Sequence, residues 1–140
     1  MSTSMKIQIR QVSPSASQAE IRQHRILIDR PAIKGGEDQG PMGGELFLSS
    51  IGGCFMSTLL AAIRAREADV SEVEAEVIGT LVDAPTRFSA VEVCVSAKCS
   101  DRVLFEKLVE IAEKGCIIVN TLRGKLDLTV RVGANRVCAI

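Results

Sequence analysis

The segment ELFLSSIGGCFMSTLLAAI, residues 45–63, decides how the fold of this chain is interpreted. After Glu45 it contains no charged residue until Arg64. As an α-helix this uncharged run would be about 27 Å long. Cys54 lies in its middle, directly after two glycines. A helix of this composition is expected to be buried, either in a protein core or in a bilayer.

The small and polar residues of this run favour a protein core over a membrane. The run has no Trp or Tyr to anchor it at a membrane interface and no flank rich in Lys or Arg. It also carries six residues that are glycines or hydroxyl side chains: Ser49, Ser50, Gly52, Gly53, Ser57 and Thr58. We therefore expect a long central helix that is covered on nearly all sides by a sheet and by a partner chain.

Length and composition set limits on the class of protein. A chain of 140 residues fits one domain spanning 1–140. Seventeen basic residues balance seventeen acidic ones, and Trp and Tyr are absent, so a nucleic-acid partner is not expected. The N-terminus lacks the apolar segment of a secretory signal, and the five cysteines are an odd number. These features predict a cytoplasmic protein without a disulfide framework.

Hydrophobic periodicity predicts a mixed α+β protein with the element order ββ–α–ββ–α–β. An N-terminal hairpin is predicted from segments 6–12 and 23–29, and a second hairpin from 71–82 and 91–97 with a turn at 83–86. The predicted helices and the last strand are 44–68, 100–114 with Ser100 as N-cap, the short element 116–122, and strand 125–132. In helix 100–114 the predicted apolar stripe is Leu104, Leu108, Ile111 and Ala112, and Gly115 is a stop signal.

A long irregular segment, RPAIKGGEDQGPMGG at residues 30–44, leads directly into the central helix. It contains five glycines and two prolines. Loops of this length in a small domain usually carry function, so its two cations, Arg30 and Lys34, are candidates for a site near the start of the helix.

Two cysteines deserve a chemical interpretation. Cys54 is either a core residue packed beside glycines or a reactive thiol, and the second role requires a cation or a helix terminus to stabilise its thiolate. Cys116 follows Gly115 and begins a new element, where backbone N–H groups at a helix start would lower its pKa. Both readings remain open on the residues alone.

The other Cys and His residues are not spaced in the sequence as metal ligands or as paired cysteines. Cys94, Cys99 and Cys138 are interpreted as incidental, and His24 as an isolated strand residue. The sequence has one His and no CxxC pair, so no metal site is expected. No nucleotide-binding or nucleophile-elbow motif is present, so no cofactor is expected either.

Two blocks of the sequence resemble the OsmC/Ohr superfamily of osmotically inducible and organic hydroperoxide resistance proteins. The first is DRPAIKGGEDQGPMGGELFLSSIGGCFMSTLL at residues 29–60, and the second is AEKGCIIVNTLRGKLDLTV at residues 112–130. Each block has a cysteine at the place where the family pattern has one, and the resemblance extends over most of the chain.

The resemblance implies an OsmC-like fold that forms an intertwined homodimer and a peroxidase that needs no cofactor. Cys54 would attack a hydroperoxide and become a sulfenic acid, and Cys116 would then close a disulfide. A dithiol such as a lipoylated protein would reduce that disulfide. Arg30 is the nearest match to the arginine that stabilises the thiolate, and Glu45 to the glutamate that orients this arginine.

One position departs from the family pattern and supports an alternative. Peroxidase members have the orienting glutamate ten residues before the cysteine, where this chain has Gly44, whereas Glu45 lies nine residues before Cys54. The alternative is an OsmC-like protein that responds to redox state or binds a small molecule without efficient peroxidase turnover.

Overall fold

A computed structural model describes residues 2–133 of the chain. Cys138, which the sequence analysis treats as incidental, lies outside these residues. The chain divides into two compact units, Met1–Phe47 and Leu48–Ile140, which are described separately below. Their elements are mixed helices and strands, as the predicted α+β class requires.

The first unit contains a three-stranded antiparallel sheet. Strands β1 (Gln8–Gln11), β2 (Ser17–Ile21) and β3 (His24–Ile28) are paired in chain order. The predicted two-stranded hairpin is therefore wrong, because β2, which was not predicted, lies between the two predicted strands. Its sequence, SQAEI, has few of the β-branched residues that mark strands, although Ala19 at its centre is buried.

Asp29 organises the irregular segment that follows β3. Its carboxylate is buried, with 2% of the residue exposed, and accepts hydrogen bonds from the backbone N–H groups of Arg30, Glu37 and Gln39 at 2.7, 3.1 and 3.2 Å. Burial alone would raise the pKa of Asp29, but these hydrogen bonds outweigh it and hold the pKa below its usual value. One side chain thus fixes a segment that contains only a short 3-10 helix, Ala32–Lys34.

We predict that Asp29→Asn lowers stability more at pH 7 than at pH 3. A depressed pKa in the folded state adds stability above the ordinary Asp value of about 3.9, and this contribution disappears as the pH falls through the folded pKa. The test compares urea midpoints of the variant and of wild type at both pH values. Asp38→Asn, at an exposed position of the same segment, is the control. An equal loss at both pH values would contradict the prediction.

Helix α1 (Gly43–Ala65) matches the predicted central helix and ends three residues earlier. Among the described residues it is the one helix long and apolar enough to cross a membrane, by length and composition only, with a mean hydropathy of 1.9. One of its faces belongs to the core: Ile51, Gly52, Phe55, Leu59, Ala62 and Ile63 are buried. The expected cover on nearly all sides is not provided within the single chain, where Gly53, Ser57 and Leu60 are exposed.

The second unit is built on a mixed three-stranded sheet. Strands β4 (Val70–Val82) and β5 (Arg87–Cys99) form the predicted hairpin, and β6 (Asp127–Val132) pairs with β5 in parallel. A parallel pair needs a long crossover connection, which is supplied here by α2 (Arg102–Gly115) and α3 (Ile117–Leu122). Cys116 therefore lies within the crossover, between its two helices.

The start of α2 differs in detail from the prediction. Asp101, not Ser100, is the N-cap, and its carboxylate accepts the N–H of Leu104 at 3.1 Å. The buried residues of α2 are Phe105, Leu108, Val109 and Ala112, so Phe105 and Val109 take the places that the predicted stripe gave to Leu104 and Ile111. Helix α2 does end at Gly115, as predicted.

Gly52 sets the separation between α1 and the sheet. A Cβ atom placed on Gly52 would lie only 2.6 Å from Cγ2 of Val77 on β4. A Cβ atom placed on Gly53 would meet nothing within 4 Å. The first glycine is thus required by packing and the second is not.

We predict that Gly52→Ala destabilises the protein by about 2 kcal/mol, because the added methyl group forces α1 away from β4. Gly53→Ala is the matched control, and it should be neutral or stabilise by up to about 1 kcal/mol, because alanine favours helix more than glycine. Chemical denaturation of both variants provides the measurement. The packing argument fails if the two variants are equally stable.

Candidate functional site

The structure brings Cys54 and Cys116 together in the second unit. Cys54 lies in the middle of α1, and Cys116 is the N-cap residue of α3. Their side chains are hydrogen-bonded to each other. Both thiols are free; Cys54 is half-buried, and Cys116 is completely buried. Of the two sulfurs, Cys54 is therefore the one that a small solute reaches first.

The beginning of α3 also faces the sulfur of Cys54. The first N–H groups of a helix have no partner within the helix, and the side chain of Cys116 does not cap α3. The backbone N–H groups of Ile117 and Ile118 instead donate hydrogen bonds to Cys54. The thiol of Cys54 thus satisfies two donors of a neighbouring helix.

These contacts make Cys54 the more acidic thiol of the pair. Partial burial tends to raise its pKa. The hydrogen bonds from the backbone of Ile118, from the thiol of Cys116 and from the backbone of Ile117 outweigh burial, so the pKa of Cys54 lies below its usual value. The thiolate is therefore stabilised by peptide groups and a second thiol, whereas the sequence analysis looked for a cation.

Cys116 is affected in the opposite direction. Burial raises its pKa, and the hydrogen bond and charge of Cys54 raise it further, against the effect of the backbone N–H groups of Val119 and Ile118. The predicted lowering of the pKa of Cys116 by the start of α3 is therefore wrong, because burial and the neighbouring Cys54 outweigh the N–H groups of Val119 and Ile118. The same helix start also donates the N–H groups of Ile117 and Ile118 to Cys54. The missing N-capping side chain before Ile117 is the sequence signal that could have indicated an external acceptor.

Arg30 and Glu45, the other two predicted site residues, lie in the first unit. No ion pair or hydrogen bond joins their side chains in the described part of this unit. Glu45 accepts the backbone N–H of Met42 at 2.8 Å, and so caps the start of α1. Arg30 lines a cavity of about 600 Å³ together with Ser15, Ser17, Ile28, Asp29, Lys34, Met42, Gly43 and Gly44.

The remaining described cysteines lie on β5. Cys94 is a half-buried free thiol on the polar face of the sheet. Cys99 is buried and forms a disulfide, so its interpretation as incidental is wrong. Within residues 2–133 no group of three or more His, Cys, Asp or Glu side chains is arranged to hold a metal ion.

An α+β chain with two free cysteines in contact, one of them acidified by a helix start, belongs to the class of small thiol proteins. The model of the OsmC-like protein family matches residues 36–131. The chain therefore belongs to the OsmC-like family, as its two cysteine blocks predicted. Compared with curated protein sequences, it has no significant match.

Solved structures have the same fold at low sequence identity. An OsmC-like protein from Mycoplasma pneumoniae is 19% identical with a TM-score of 0.81, over 95% of this chain and 98% of that one. An organic hydroperoxide resistance protein from Legionella pneumophila is 17% identical with a TM-score of 0.73, over 95% and 100%. The protein OhrB of Bacillus subtilis, also named for organic hydroperoxide resistance, is 22% identical with a TM-score of 0.67, over 94% and 98%.

We predict that Cys54 reacts with iodoacetamide with an apparent pKa below the usual thiol value of about 8.5. Cys116→Ala should raise this pKa, because it removes one hydrogen bond from the thiolate. The rate of carboxamidomethylation of the Cys54 peptide is measured by mass spectrometry between pH 5 and 10, in a Cys94→Ser background. A midpoint at or above the ordinary thiol value would contradict the assignment.

Proposed function

We propose that this protein is a thiol-dependent peroxidase that reduces organic hydroperoxides or hydrogen peroxide through Cys54 and Cys116. The observation that carries the proposal is the contact between an acidified, half-buried thiol and a buried second thiol. Membership of the OsmC-like family supports it. The hydroperoxide resistance named for structural neighbours agrees with the same chemistry.

The first step uses the thiolate of Cys54 as the nucleophile. Its sulfur attacks the terminal oxygen of the hydroperoxide, the O–O bond breaks, and the alkoxide that leaves takes up a proton to become an alcohol. Sulfur is oxidised by two electrons to a sulfenic acid, and the peroxide is reduced by two. The N–H groups of Ile117 and Ile118 stabilise the thiolate and lower the pKa of Cys54, which increases the fraction of the reactive form.

The second step uses Cys116. Its sulfur attacks the sulfenic sulfur of Cys54, an S–S bond forms, and the S–O bond breaks with release of water. The raised pKa of Cys116 keeps it protonated until this step, so only one of the two thiols competes for peroxide. A dithiol reductant, for example a lipoylated protein, would then return both cysteines to thiols by exchange.

Arg30 and Glu45 retain their predicted roles as proposals. The guanidinium of Arg30 would stabilise the thiolate of Cys54, and the carboxylate of Glu45 would orient this guanidinium. We further propose a cytoplasmic homodimer. Exposed apolar side chains on the second unit, including Leu60, Ile78 and Ile117, favour burial against a second copy.

We predict that one equivalent of cumene hydroperoxide removes both thiols from a chain in which only Cys54 and Cys116 remain. This two-cysteine background carries Cys94→Ser, Cys99→Ala and Cys138→Ser. Adding Cys54→Ser should abolish the reaction, whereas adding Cys116→Ser should stop it at a sulfenic acid. Thiol titration and peptide mapping of the background protein and of its two variants provide the measurements. Two unreacted thiols in the background protein would rule out the proposal.

A second candidate function is favoured by the capping role of Glu45. Its carboxylate is occupied by Met42 N–H, and Gly44 stands at the position of the family's orienting glutamate. The protein would then be a redox-responsive or small-molecule-binding member without efficient turnover. Steady-state consumption of hydroperoxide with dihydrolipoamide distinguishes the two functions, since a single stoichiometric oxidation without turnover would support this one.

A further inference from the structure

Thr58 touches both cysteine-bearing segments of the second unit. It lies one helical turn after Cys54 on α1, and its hydroxyl donates a hydrogen bond to the backbone carbonyl of Cys54 at 3.0 Å. Its methyl group faces the residue before Cys116, because a Cβ atom placed on Gly115 would lie 3.2 Å from Cγ2 of Thr58. The side chain of Thr58 is thus hydrogen-bonded to the backbone of Cys54 and lies next to Gly115, the residue before Cys116.

The hydrogen bond makes the methyl group a rigid spacer. A threonine whose hydroxyl is bonded to the carbonyl four residues earlier has its χ1 angle fixed, and the position of Cγ2 follows. Gly115 presents no side chain on the other side of this contact. At 3.2 Å from Cγ2 of Thr58, a Cβ atom on Gly115 would be closer than an ordinary van der Waals contact. A methyl group at position 115 would therefore move α1 and the end of α2 apart by a few tenths of an ångström.

The backbone conformation of Gly115 does not require glycine. In the described chain the glycines with positive φ are Gly35 and Gly124, so alanine can adopt the conformation found at position 115. The close approach to Thr58 is therefore the structural reason for a glycine here. Gly115 does end α2 as predicted, but the glycine is explained by its packing against Thr58 and not by a helix-stop conformation.

We propose that Thr58 is a positioning residue that, with Gly115, sets the separation of the two sulfur atoms and hence the rate at which Cys116 closes the disulfide. This inference rests on the proposed function. In the step it controls, the sulfur of Cys116 attacks the sulfenic sulfur of Cys54, and the oxygen leaves as water with the thiol proton. Thr58 takes no part in the preceding attack on the peroxide.

The test compares Gly115→Ala with the double variant Gly115→Ala/Thr58→Ser in the two-cysteine background. Alanine at 115 adds a methyl group, and serine at 58 removes one while keeping the hydroxyl. We expect Gly115→Ala to slow disulfide closure about tenfold, because sub-ångström displacement of reacting groups lowers rates by such factors. The double variant should recover to within about threefold of the background protein.

Two readouts separate positioning from a general loss of structure. After a single equivalent of cumene hydroperoxide, dimedone traps the sulfenic acid and intact mass follows its decay to the disulfide. Gly115→Ala should accumulate sulfenic acid, while its rate of sulfenic acid formation changes less than threefold. Gly53→Ala, which adds a methyl group beside Cys54 in open space, should close the disulfide at the rate of the background protein.

Two outcomes overturn the inference. In the first, Gly115→Ala closes the disulfide at the rate of the background protein. In the second, Gly115→Ala closes it slowly and the added Thr58→Ser does not restore the rate. If Gly115→Ala does not fold, Thr58→Ala replaces it. Thr58→Ala removes both the hydroxyl that bonds the Cys54 carbonyl and the methyl group, and it should slow disulfide closure at least threefold. An unchanged rate would overturn the inference. Failure of the background protein to lose its two thiols is a separate result and counts against the proposed function instead.

Discussion

The second unit depends on how closely helix α1 lies against strand β4. This approach is possible because position 52 has no side chain and Val77 occupies the space where one would be. A helix at this distance buries Phe55 and Leu59 on the sheet side. Two residues after Gly52, the same helix carries a thiol toward the crossover between β5 and β6. The packing of α1 on the sheet and the position of the Cys54 sulfur are therefore consequences of one contact.

The crossover between β5 and β6 supplies the hydrogen-bond donors that stabilise a thiolate at Cys54. No cation occurs on α1 between Glu45 and Arg64, so a thiolate on this helix needs stabilisation from another element. Helix α3 provides two backbone N–H groups, and Cys116 provides a third donor. This source of stabilisation does not require an acidic residue at position 44. The departure of the chain from the family pattern at that position is thus compatible with an acidified Cys54.

Much of the architecture could be predicted from local patterns. The alternation in β4 and β5 and the uncharged run of α1 are strong signals. Strand β4 and helix α1 have nearly the predicted bounds, whereas β5 begins four residues earlier and ends two residues later than predicted. Strand β2 was missed because its sequence is polar, and its pairing comes from two neighbours. The cysteine pair was suggested by resemblance. The direction of each pKa could not be predicted, because it depends on which thiol the start of α3 faces in three dimensions.

The hydrogen bonds at the start of α3 also bear on the redox equilibrium of the proposed cysteine pair. A disulfide sulfur carries no charge and accepts hydrogen bonds weakly, so oxidation would deprive the N–H groups of Ile117 and Ile118 of their charged acceptor. Reduction would restore it. In the proposed pair this effect would favour the dithiol over the disulfide, as in oxidoreductases whose reduced form is stabilised, and such a disulfide would be readily reopened by a dithiol donor. The same two peptide groups that prepare Cys54 for oxidation would thus also favour its return to the reduced state.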